Sequence, residues 1–208
     1  MRMTAQAFAL ENITGASDCD LVTKAIAGRE DGFEELVRRY QRPLVAYVYR
    51  MVGDYDAALD LTQEVFIKVY NSLTRYRSEY KFSTWVYRIA HNAAIDHLRR
   101  HGNGRLEELE HEGDDGACTY EKPFASAGLT PEQQSEQAER RAEIEEVVQS
   151  LPQSYRELIV LRHAHDMSYD EIAEVTGLPL GTVKNRIFRA REAMRADLLE
   201  RGITSVGG

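Results

Sequence analysis

Apolar residues recur at intervals of three and four along most of this chain, as they do on one face of an α-helix. Only one segment, residues 102–136, lacks this periodicity. No sustained alternation typical of strands is found, and no Asn-Gly or Asp-Gly turn joins two apolar runs. The pattern therefore predicts an all-α protein with one helical block on each side of that segment.

The first block begins with two predicted helices. Asp18 or Asp20 is expected to cap a short amphipathic helix that ends at Gly28. The second helix spans about Gly32 to Met51, and Pro43 in its interior can introduce a kink. Its apolar side consists of Phe33, Leu36, Val37, Tyr40, Leu44, Val45 and Val48.

Two further helices complete the first block, which is predicted to extend over residues 18–101. Asp54 or Asp56 starts the third helix, and the residues from Asn71 to Tyr80 are predicted to form a loop. Ser83 is then expected to cap the last helix of the block. We therefore expect a small helical domain.

The segment without helical periodicity is strongly acidic. Residues 102–136 contain nine acidic and two basic residues, a net charge of −7, and glycines and small residues are frequent. Such a composition is typical of an extended or disordered linker. We predict a flexible acidic linker at residues 102–130, with flexible tails at residues 1–17 and 202–208.

The second block is predicted to cover residues 131–201. Thr130 at a cap position and Pro131 at the first helical position indicate the start of a helix that runs to about Ser150. Pro152 marks the start of the next helix. Residues expected to face the core of this block are Ile144, Val147, Val148, Leu151, Tyr155, Leu158, Ile159 and Leu161.

Residues 166–195 read DMSYDEIAEVTGLPLGTVKNRIFRAREAMR and have the pattern of a helix-turn-helix. Ser168 and Glu171 have the spacing of a capping box. Gly177 suits a turn that needs positive φ, and Pro179 fixes the direction of the helix after it. The side chains expected to face the core are Ile172, Ala173, Val175, Leu178, Val183, Ile187, Ala190 and Met194.

The other faces of this second helix carry Lys, Arg and Asn side chains, which can pair with base edges in the major groove. A charged helix face is also typical of a helical hairpin whose charges are only solvated. Three features are expected of a DNA-binding helix-turn-helix: the small residue Ala173 before the turn, the glycine at the turn, and the basic second helix. Together they favour DNA binding.

The chain as a whole is acidic, with a formal net charge of −8 over 208 residues. Its charge is unevenly distributed, because residues 66–101 carry a net charge of +5 and residues 181–195 carry +4. Salt screens charges beyond about 8–10 Å, so the local field decides nucleic-acid binding. Two basic patches separated by an acidic segment are therefore compatible with DNA binding.

Composition and motifs argue against several other classes of protein. No apolar run approaches the roughly 20 residues of a membrane span, and no secretory signal is recognisable. Two cysteines, Cys19 and Cys118, are too few for a disulfide framework, so a cytoplasmic location is expected. His97 and His101 provide half a metal site that nothing completes, and there is no Gly-rich phosphate loop. We therefore expect no metal, no cofactor, no membrane insertion and no enzymatic activity.

The segment from Leu151 to Arg191 resembles the promoter −35 reading domain of extracytoplasmic-function sigma factors, most specifically in LPLGTVKNRIFRARE. In the first block, FEELVRRYQRPLVAYVYRMVGD, DLTQEVFIKVY and FSTWVYRIAHNAAIDHLRR resemble the −10 domain of that family in order and spacing. The resemblance covers about Asp18 to Leu199. It implies a subunit of bacterial RNA polymerase that gives the core enzyme promoter specificity and opens the DNA.

The resemblance also implies which residues act. For docking on the clamp helices of the polymerase β′ subunit, the matching residues are Asp60, Gln63, Glu64 and Phe66. For capture of a flipped base of the −10 strand, they are Tyr76, Lys81, Arg88, His91, Asn92, Asp96 and Arg99. For the −35 element, they are Thr182, Lys184, Asn185, Arg186, Phe188, Arg189 and Arg191. The partners implied are core RNA polymerase, including its β flap, promoter DNA and an anti-sigma factor.

Some alternatives stay open. Asp60 and Glu64 lie one helical turn apart on one face of their helix, which without the resemblance would be interpreted as a solvated face. Trp85 is expected to be a core aromatic. Arg186 either contacts phosphate or folds back on its own domain. In the family the linker runs through channels of the polymerase. The inference that the linker of this chain does the same is based on its charge and its position alone. The alternative function is a stand-alone helix-turn-helix regulator with an N-terminal partner-binding domain.

Overall fold

A computed structural model describes residues 15–101 and 131–202, with the backbone alone described at residues 131–139 and 141. The regular structure in these ranges is helical, and no strand occurs within them. The prediction of an all-α protein is confirmed. The predicted linker at residues 102–130 lies outside the described residues.

The chain divides into two compact units, residues 1–101 and residues 102–208. The described helices of the first unit are α1 (Asp18–Ile26), α2 (Glu30–Val52), α3 (Tyr55–Ser72) and α4 (Phe82–His101), with a 3₁₀ turn at Leu73–Arg75. Each helix packs against the next one, and α4 also packs against α2, which makes this unit a helical bundle. The predicted domain limits, residues 18–101 and 131–201, remain predictions.

The N-terminal caps of two helices differ from the sequence prediction. Ser17, rather than Asp18 or Asp20, caps α1, because its Oγ accepts from the Asp20 amide at 3.2 Å. The Asp20 carboxylate accepts in return from the Ser17 amide at 3.3 Å, which completes a capping box. Helix α4 starts at Phe82, one residue before the predicted cap Ser83. By contrast, Asp54 caps α3 as predicted, since its carboxylate accepts from the Ala57 amide at 2.9 Å.

Helices α1 and α2 cross at Gly32, where the absence of a side chain permits a close approach. A Cβ atom at this position would lie 2.6 Å from the Leu21 carbonyl oxygen and 2.9 Å from the Lys24 Cβ. On the far side of the crossing, Arg39 of α2 pairs with Asp18 of α1 at 2.8 Å. The crossing therefore depends on a glycine inside a helix, where glycine is otherwise unfavourable.

The centre of the first unit is aromatic. The rings of Tyr47 in α2 and Tyr87 in α4 are almost completely buried and meet edge to face, with centroids 5.3 Å apart. The Tyr47 hydroxyl also forms a 3.2 Å hydrogen bond with Nδ1 of His91. These contacts hold α4 against α2 and thereby set which face of α4 points to solvent.

The second unit contains α5 (Pro131–Ser150), α6 (Gln153–His163), α7 (Tyr169–Thr176) and α8 (Leu180–Glu200) among its described residues. Helices α6 and α7 both pack against α8. Val147, Val148 and Leu151 are buried as predicted. Ile144, which was expected to face the core, is instead 37% exposed.

The helix-turn-helix signals of the second unit are confirmed in detail. Ser168 Oγ accepts from the Glu171 amide at 3.2 Å, and the Glu171 carboxylate accepts from the Ser168 amide at 2.7 Å. Gly177 adopts φ 70°, a left-handed conformation that favours glycine, and Pro179 caps α8. Of the predicted inward side chains, those buried are Ile172, Val175, Val183, Ile187 and Ala190. The other three, Ala173, Leu178 and Met194, are only half-buried.

Candidate nucleic-acid interface

Helix α8 presents its polar residues outward because Val183, Ile187 and Ala190 anchor the opposite arc in the core. Lys184, Asn185, Arg189 and Arg191 are exposed, and the Phe188 ring is 65% exposed. We call the outward arc formed by these five residues, together with Thr182 and Arg186, the recognition face. Its first residues lie on the first turns of α8, where a recognition helix meets base edges.

A depression on one side of the recognition face is walled by two helices. We call this depression the notch; it is lined by Tyr155, Gly181, Thr182, Asn185, Arg186 and Arg189. Tyr155 belongs to α6 and is half-buried. The sequence analysis placed Tyr155 in an apolar stripe and did not connect it with the recognition face, because it lies 26 positions before Gly181 in the chain.

Arg186 interacts with a carboxyl group of its own unit. Glu157 of α6 is half-buried, and burial raises its pKa to about 7 while the charge of Arg186 acts in the opposite direction. Arg186 is itself only half-buried, so it keeps access to solvent. Arg186 therefore interacts with its own domain and also lines the notch, and its contact with phosphate stays a prediction.

Arg191 is held by a histidine at the end of α6. Its Nη2 donates to Nε2 of His163 over 3.3 Å, a bond that requires an unprotonated Nε2. Burial lowers the pKa of His163, the charges of Arg191 and Arg162 lower it further, and Asp166 opposes them. A neutral His163 thus orients one of the basic side chains of the recognition face.

In the first unit, α4 carries a second polar face. Arg88, Asn92, Asp96 and Arg99 follow one another at helical spacing and are all exposed. We call these four residues the α4 face. Arg99 Nη1 lies 3.8 Å from Asp96 Oδ1. Lys81, just before the helix, is exposed as well.

Next to the start of α4 lies a group of aromatic rings. The Tyr76 ring is 5.7 Å from Phe82 and 5.4 Å from Trp85, measured between centroids. The Tyr76 hydroxyl donates to the Tyr80 carbonyl oxygen at 2.6 Å, and burial raises its pKa. Tyr76 and Trp85 are both half-buried, so Trp85 is a partly accessible ring and not the fully enclosed core aromatic that was expected.

Two predicted site residues face the interior of the protein. His91 is only 7% exposed, and burial lowers its pKa to about 4. Phe66 is 9% exposed, and its ring meets Phe33 with centroids 6.4 Å apart. Both side chains lie on arcs that other helices cover, and the contacts of His91 with DNA and of Phe66 with polymerase stay predictions.

The other residues predicted to dock on polymerase share the solvent side of α3. Asp60, Gln63 and Glu64 are exposed, and Ile67 on the same arc is 61% exposed. We call these four residues the α3 face. Ile67 was missed, although its spacing of three, four and seven residues from the others was a usable signal. The exposed isoleucine adds an apolar centre to an otherwise acidic face.

Metal and membrane sites are absent from the part of the chain that the structure describes. There, no three His, Cys, Asp or Glu residues come together as metal ligands. His97 and His101 stack with ring centroids 4.1 Å apart, and the His101 Nδ1 bonds to the His97 carbonyl. Among the described helices, none combines the length and apolar character needed to cross a membrane.

Comparisons with known proteins agree with this architecture. The family model for sigma-70 region 2 matches residues 36–104, and that for sigma-70 region 4 matches residues 141–194. The chain is 37% identical to the ECF RNA polymerase sigma factor SigW of Bacillus subtilis, over 82% of this chain and 91% of that protein. It is also 37% identical to the RNA polymerase sigma-H factor of Pseudomonas aeruginosa, over 88% of this chain and 94% of that protein.

Two solved structures share the fold. CnrH in complex with the cytosolic domain of CnrY superposes with a TM-score of 0.61 at 24% identity, covering 89% of this chain and 99% of that one. RpoE of Bartonella quintana in complex with the anti-sigma factor NepR gives 0.57 at 22% identity, covering 80% and 96%. With the curated relatives at 37% identity over most of its length, the chain belongs to the extracytoplasmic-function family of RNA polymerase sigma factors.

Proposed function

We propose that this protein binds bacterial core RNA polymerase, directs it to promoters by reading a −35 and a −10 element, and promotes DNA opening. The observation that carries the proposal is the presence of two outward, basic helix faces, one in each unit of a sigma-family chain. RNA synthesis is catalysed by the polymerase, so this subunit is proposed to act without catalysing a reaction. Its proposed location is the cytoplasm.

The recognition face is proposed to read the −35 element in the major groove. Lys and Arg donate to guanine, Asn pairs with adenine, and an exposed aromatic ring can contact a thymine methyl group. Lys184, Asn185 and Arg189 are exposed on adjacent turns, which suits base contacts. Arg191, held by His163, is proposed to contact a phosphate.

The α4 face and the aromatic group beside it are proposed to act on the −10 strand. Single-stranded DNA is bound by stacking on aromatic rings between basic side chains, a combination that Tyr76, Trp85 and Arg88 provide. Taking a base out of the stack costs a few kcal/mol of free energy, and contacts in a preformed pocket can offset this cost. Asn92 lies on the exposed arc, where its amide can reach such a base.

Polymerase docking is proposed for the α3 face, on the clamp helices of the β′ subunit, with the second unit contacting the β flap. Acidic residues around an exposed isoleucine suit a partner helix with basic and apolar side chains. An anti-sigma factor is proposed as a further partner, because two similar folds were solved as complexes with such proteins or with a cytosolic domain.

Run-off transcription tests the proposed function directly. The chain is added to core RNA polymerase on a library of DNA with randomised upstream sequence, and transcripts are sequenced. We expect initiation only when the chain is present, and enrichment of two short motifs one promoter spacing apart. A chain that binds duplex DNA tightly without core polymerase and gives no transcripts with it is a stand-alone regulator, and that result would overturn the proposal.

A further inference from the structure

The notch beside the recognition face is a concentration of hydrogen-bond donors. Its walls carry two guanidinium groups, one amide and two hydroxyl groups, from Arg186, Arg189, Asn185, Thr182 and Tyr155. Within the described part of the chain, no hydrogen bond or ion pair engages the side chains of Tyr155, Thr182, Asn185 and Arg189. These donors are therefore available to a ligand.

The protein backbone places Tyr155 at this point. Helix α6 begins at Gln153 after Pro152, whose carbonyl oxygen accepts from the Tyr155 amide at 2.8 Å. The buried neighbours Leu158 and Leu161 fix the rotation of α6 against α8. Tyr155 thus contributes to the wall from a helix that precedes the helix-turn-helix.

Gly181 forms the open part of the wall. An added Cβ atom at Gly181 would have no atom within 4 Å, and its backbone φ is not in the left-handed region. Neither helix packing nor backbone conformation therefore requires glycine here, although glycine is less favourable than alanine in a helix. The lack of a side chain leaves room for a ligand to approach α8 closely.

We propose that the notch binds a phosphodiester group of the −35 duplex, and that Tyr155 and Gly181 are DNA-contacting residues outside the predicted set. The proposal rests on the proposed function. A phosphodiester is an anionic acceptor, which matches the guanidinium group of Arg186 and the hydroxyl groups of Thr182 and Tyr155. Arg186, whose charge interacts with Glu157, supplies the cation from the wall of the notch.

A phosphate contact positions the protein and adds affinity that does not depend on base sequence. Loss of the Tyr155 hydroxyl should therefore weaken binding equally for every −35 variant. Loss of the Arg186 charge should in addition reduce the dependence of affinity on salt, because one fewer counterion is released.

The test measures affinity of the holoenzyme, assembled from the full chain and core polymerase, for a fluorescent promoter duplex recovered from the library. Tyr155→Phe and Gly181→Ala are compared with wild type on that duplex and on duplexes with single changes in the −35 element. We expect Tyr155→Phe to weaken binding roughly tenfold, the size of one hydrogen bond to a charged group, by the same factor on all duplexes. Gly181→Ala removes no donor, and its methyl group should weaken binding by blocking the close approach of the phosphate, again equally on all duplexes. Gly181→Ala should leave the thermal unfolding temperature of the chain unchanged or raised.

A charge-matched pair completes the design. Arg186→Gln should lower the slope of log affinity against log salt by about 1. Arg201→Gln removes the same charge at the far end of α8, where Arg201 is paired with Asp197 at 2.8 Å and Glu146 at 2.7 Å, and should leave the slope unchanged.

The outcomes separate the two proposals. If the library yields no promoter, the proposed function fails and the phosphate site fails with it. If a promoter is recovered and both Tyr155→Phe and Gly181→Ala bind it like wild type, the phosphate site alone is overturned. A substitution that changes preference at a single base pair would also overturn it, because that is the behaviour of a base contact.

Discussion

One helical step separates two side chains of α4 with opposite environments. His91 is enclosed between helices and bonded to the Tyr47 hydroxyl, whereas Asn92 lies on the exposed α4 face. A rotation of about 100° per residue is enough to move a side chain from the core to the surface. His91 is therefore part of the core, whereas Asn92 is accessible on the α4 face, where its contact with promoter DNA stays a prediction.

Burial of His91 predicts acid sensitivity of the first unit. The unfolded histidine takes up a proton near pH 6.5 and the folded one only near pH 4, so the unfolded state binds more protons between these values. His91 therefore stabilises the fold fully above pH 6.5, and the free energy of unfolding falls as the pH drops towards 4, by up to about 3 kcal/mol.

Urea unfolding between pH 7.5 and 4, followed by the fluorescence of Trp85, the single tryptophan of the chain, measures this effect in the first unit. His91→Gln keeps a polar partner for Tyr47 without a titration in this range, and should show a smaller loss of stability on acidification. Equal pH dependence of wild type and variant would contradict the assignment.

Asn92→Ala should impair DNA opening more than polymerase binding, since Asn92 lies on the α4 face and not on the α3 face. Permanganate reactivity of unpaired thymines reports opening, and competition for core enzyme reports binding. We expect a loss of opening by roughly tenfold or more, equivalent to about 1–3 kcal/mol for one base contact. Equal losses in both measurements would refute the base-capture role.

At the scale of elements, each functional helix is amphipathic in a different way. Helix α3 combines an acidic outer arc with exposed Ile67, whereas α8 combines a basic outer arc with exposed Phe188. In both cases the buried stripe fixes the rotation of the helix, and the rotation decides which residues a partner meets. Apolar side chains that stand singly on a surface are normal, so it is the sign of the charge that distinguishes the two outer arcs.

Charge reversal on the α3 face should separate polymerase binding from folding. Glu64→Arg places a positive charge beside Ile67 and should weaken association with core polymerase by roughly tenfold or more, the scale at which like-charge contacts act at interfaces. Glu34→Arg, at an exposed position of α2 in the same unit, is the matched control and should bind as wild type does. Unchanged affinity of Glu64→Arg would argue against docking through α3.

The crossing of α1 and α2 predicts a strong effect of a small substitution. Gly32→Ala places a methyl group 2.6 Å from the Leu21 carbonyl oxygen, and a backbone atom cannot move aside cheaply. We expect a loss of about 1–3 kcal/mol of stability despite the higher helix propensity of alanine. Urea unfolding followed by Trp85 fluorescence measures it; a stabilised variant would show that the helices can separate without cost.

At the scale of the whole molecule, charge is divided by segment. The net charge of −8 coexists with basic residues 66–101 and 181–195, and residues 102–136 carry −7. Because salt screens charges beyond about 8–10 Å, the basic residues of each unit act on DNA mainly through their own local field. Two promoter elements can thus be contacted by one acidic protein.

Neutralising the acidic segment tests this division. Replacing the six acidic residues between positions 107 and 115 with amides removes six negative charges from the chain. At saturating core polymerase, the slope of log promoter affinity against log salt should stay the same, because that slope counts phosphate contacts of the basic residues. A steeper slope in the variant would show that the segment competes with DNA for those residues.

The sequence by itself determined the features that arise from local interactions. Helical periodicity, the capping box at Ser168, the turn at Gly177 and the buried stripe of α8 depend on neighbours within a few residues, and the structure confirms them. The family motifs and the distribution of charge were equally readable. The cap of α1 was also local, but the prediction started one residue too late and missed Ser17.

Only the tertiary structure decided which arc of each helix is covered by another helix. It moved His91 and Phe66 into the interior and left Ile67 exposed, because burial depends on the rotation of α3 and α4 against α2. It also brought Tyr155 to the side of Gly181, 26 positions later in the chain. Contacts of this range are set by helix packing, and the period of one helix carries no information about them.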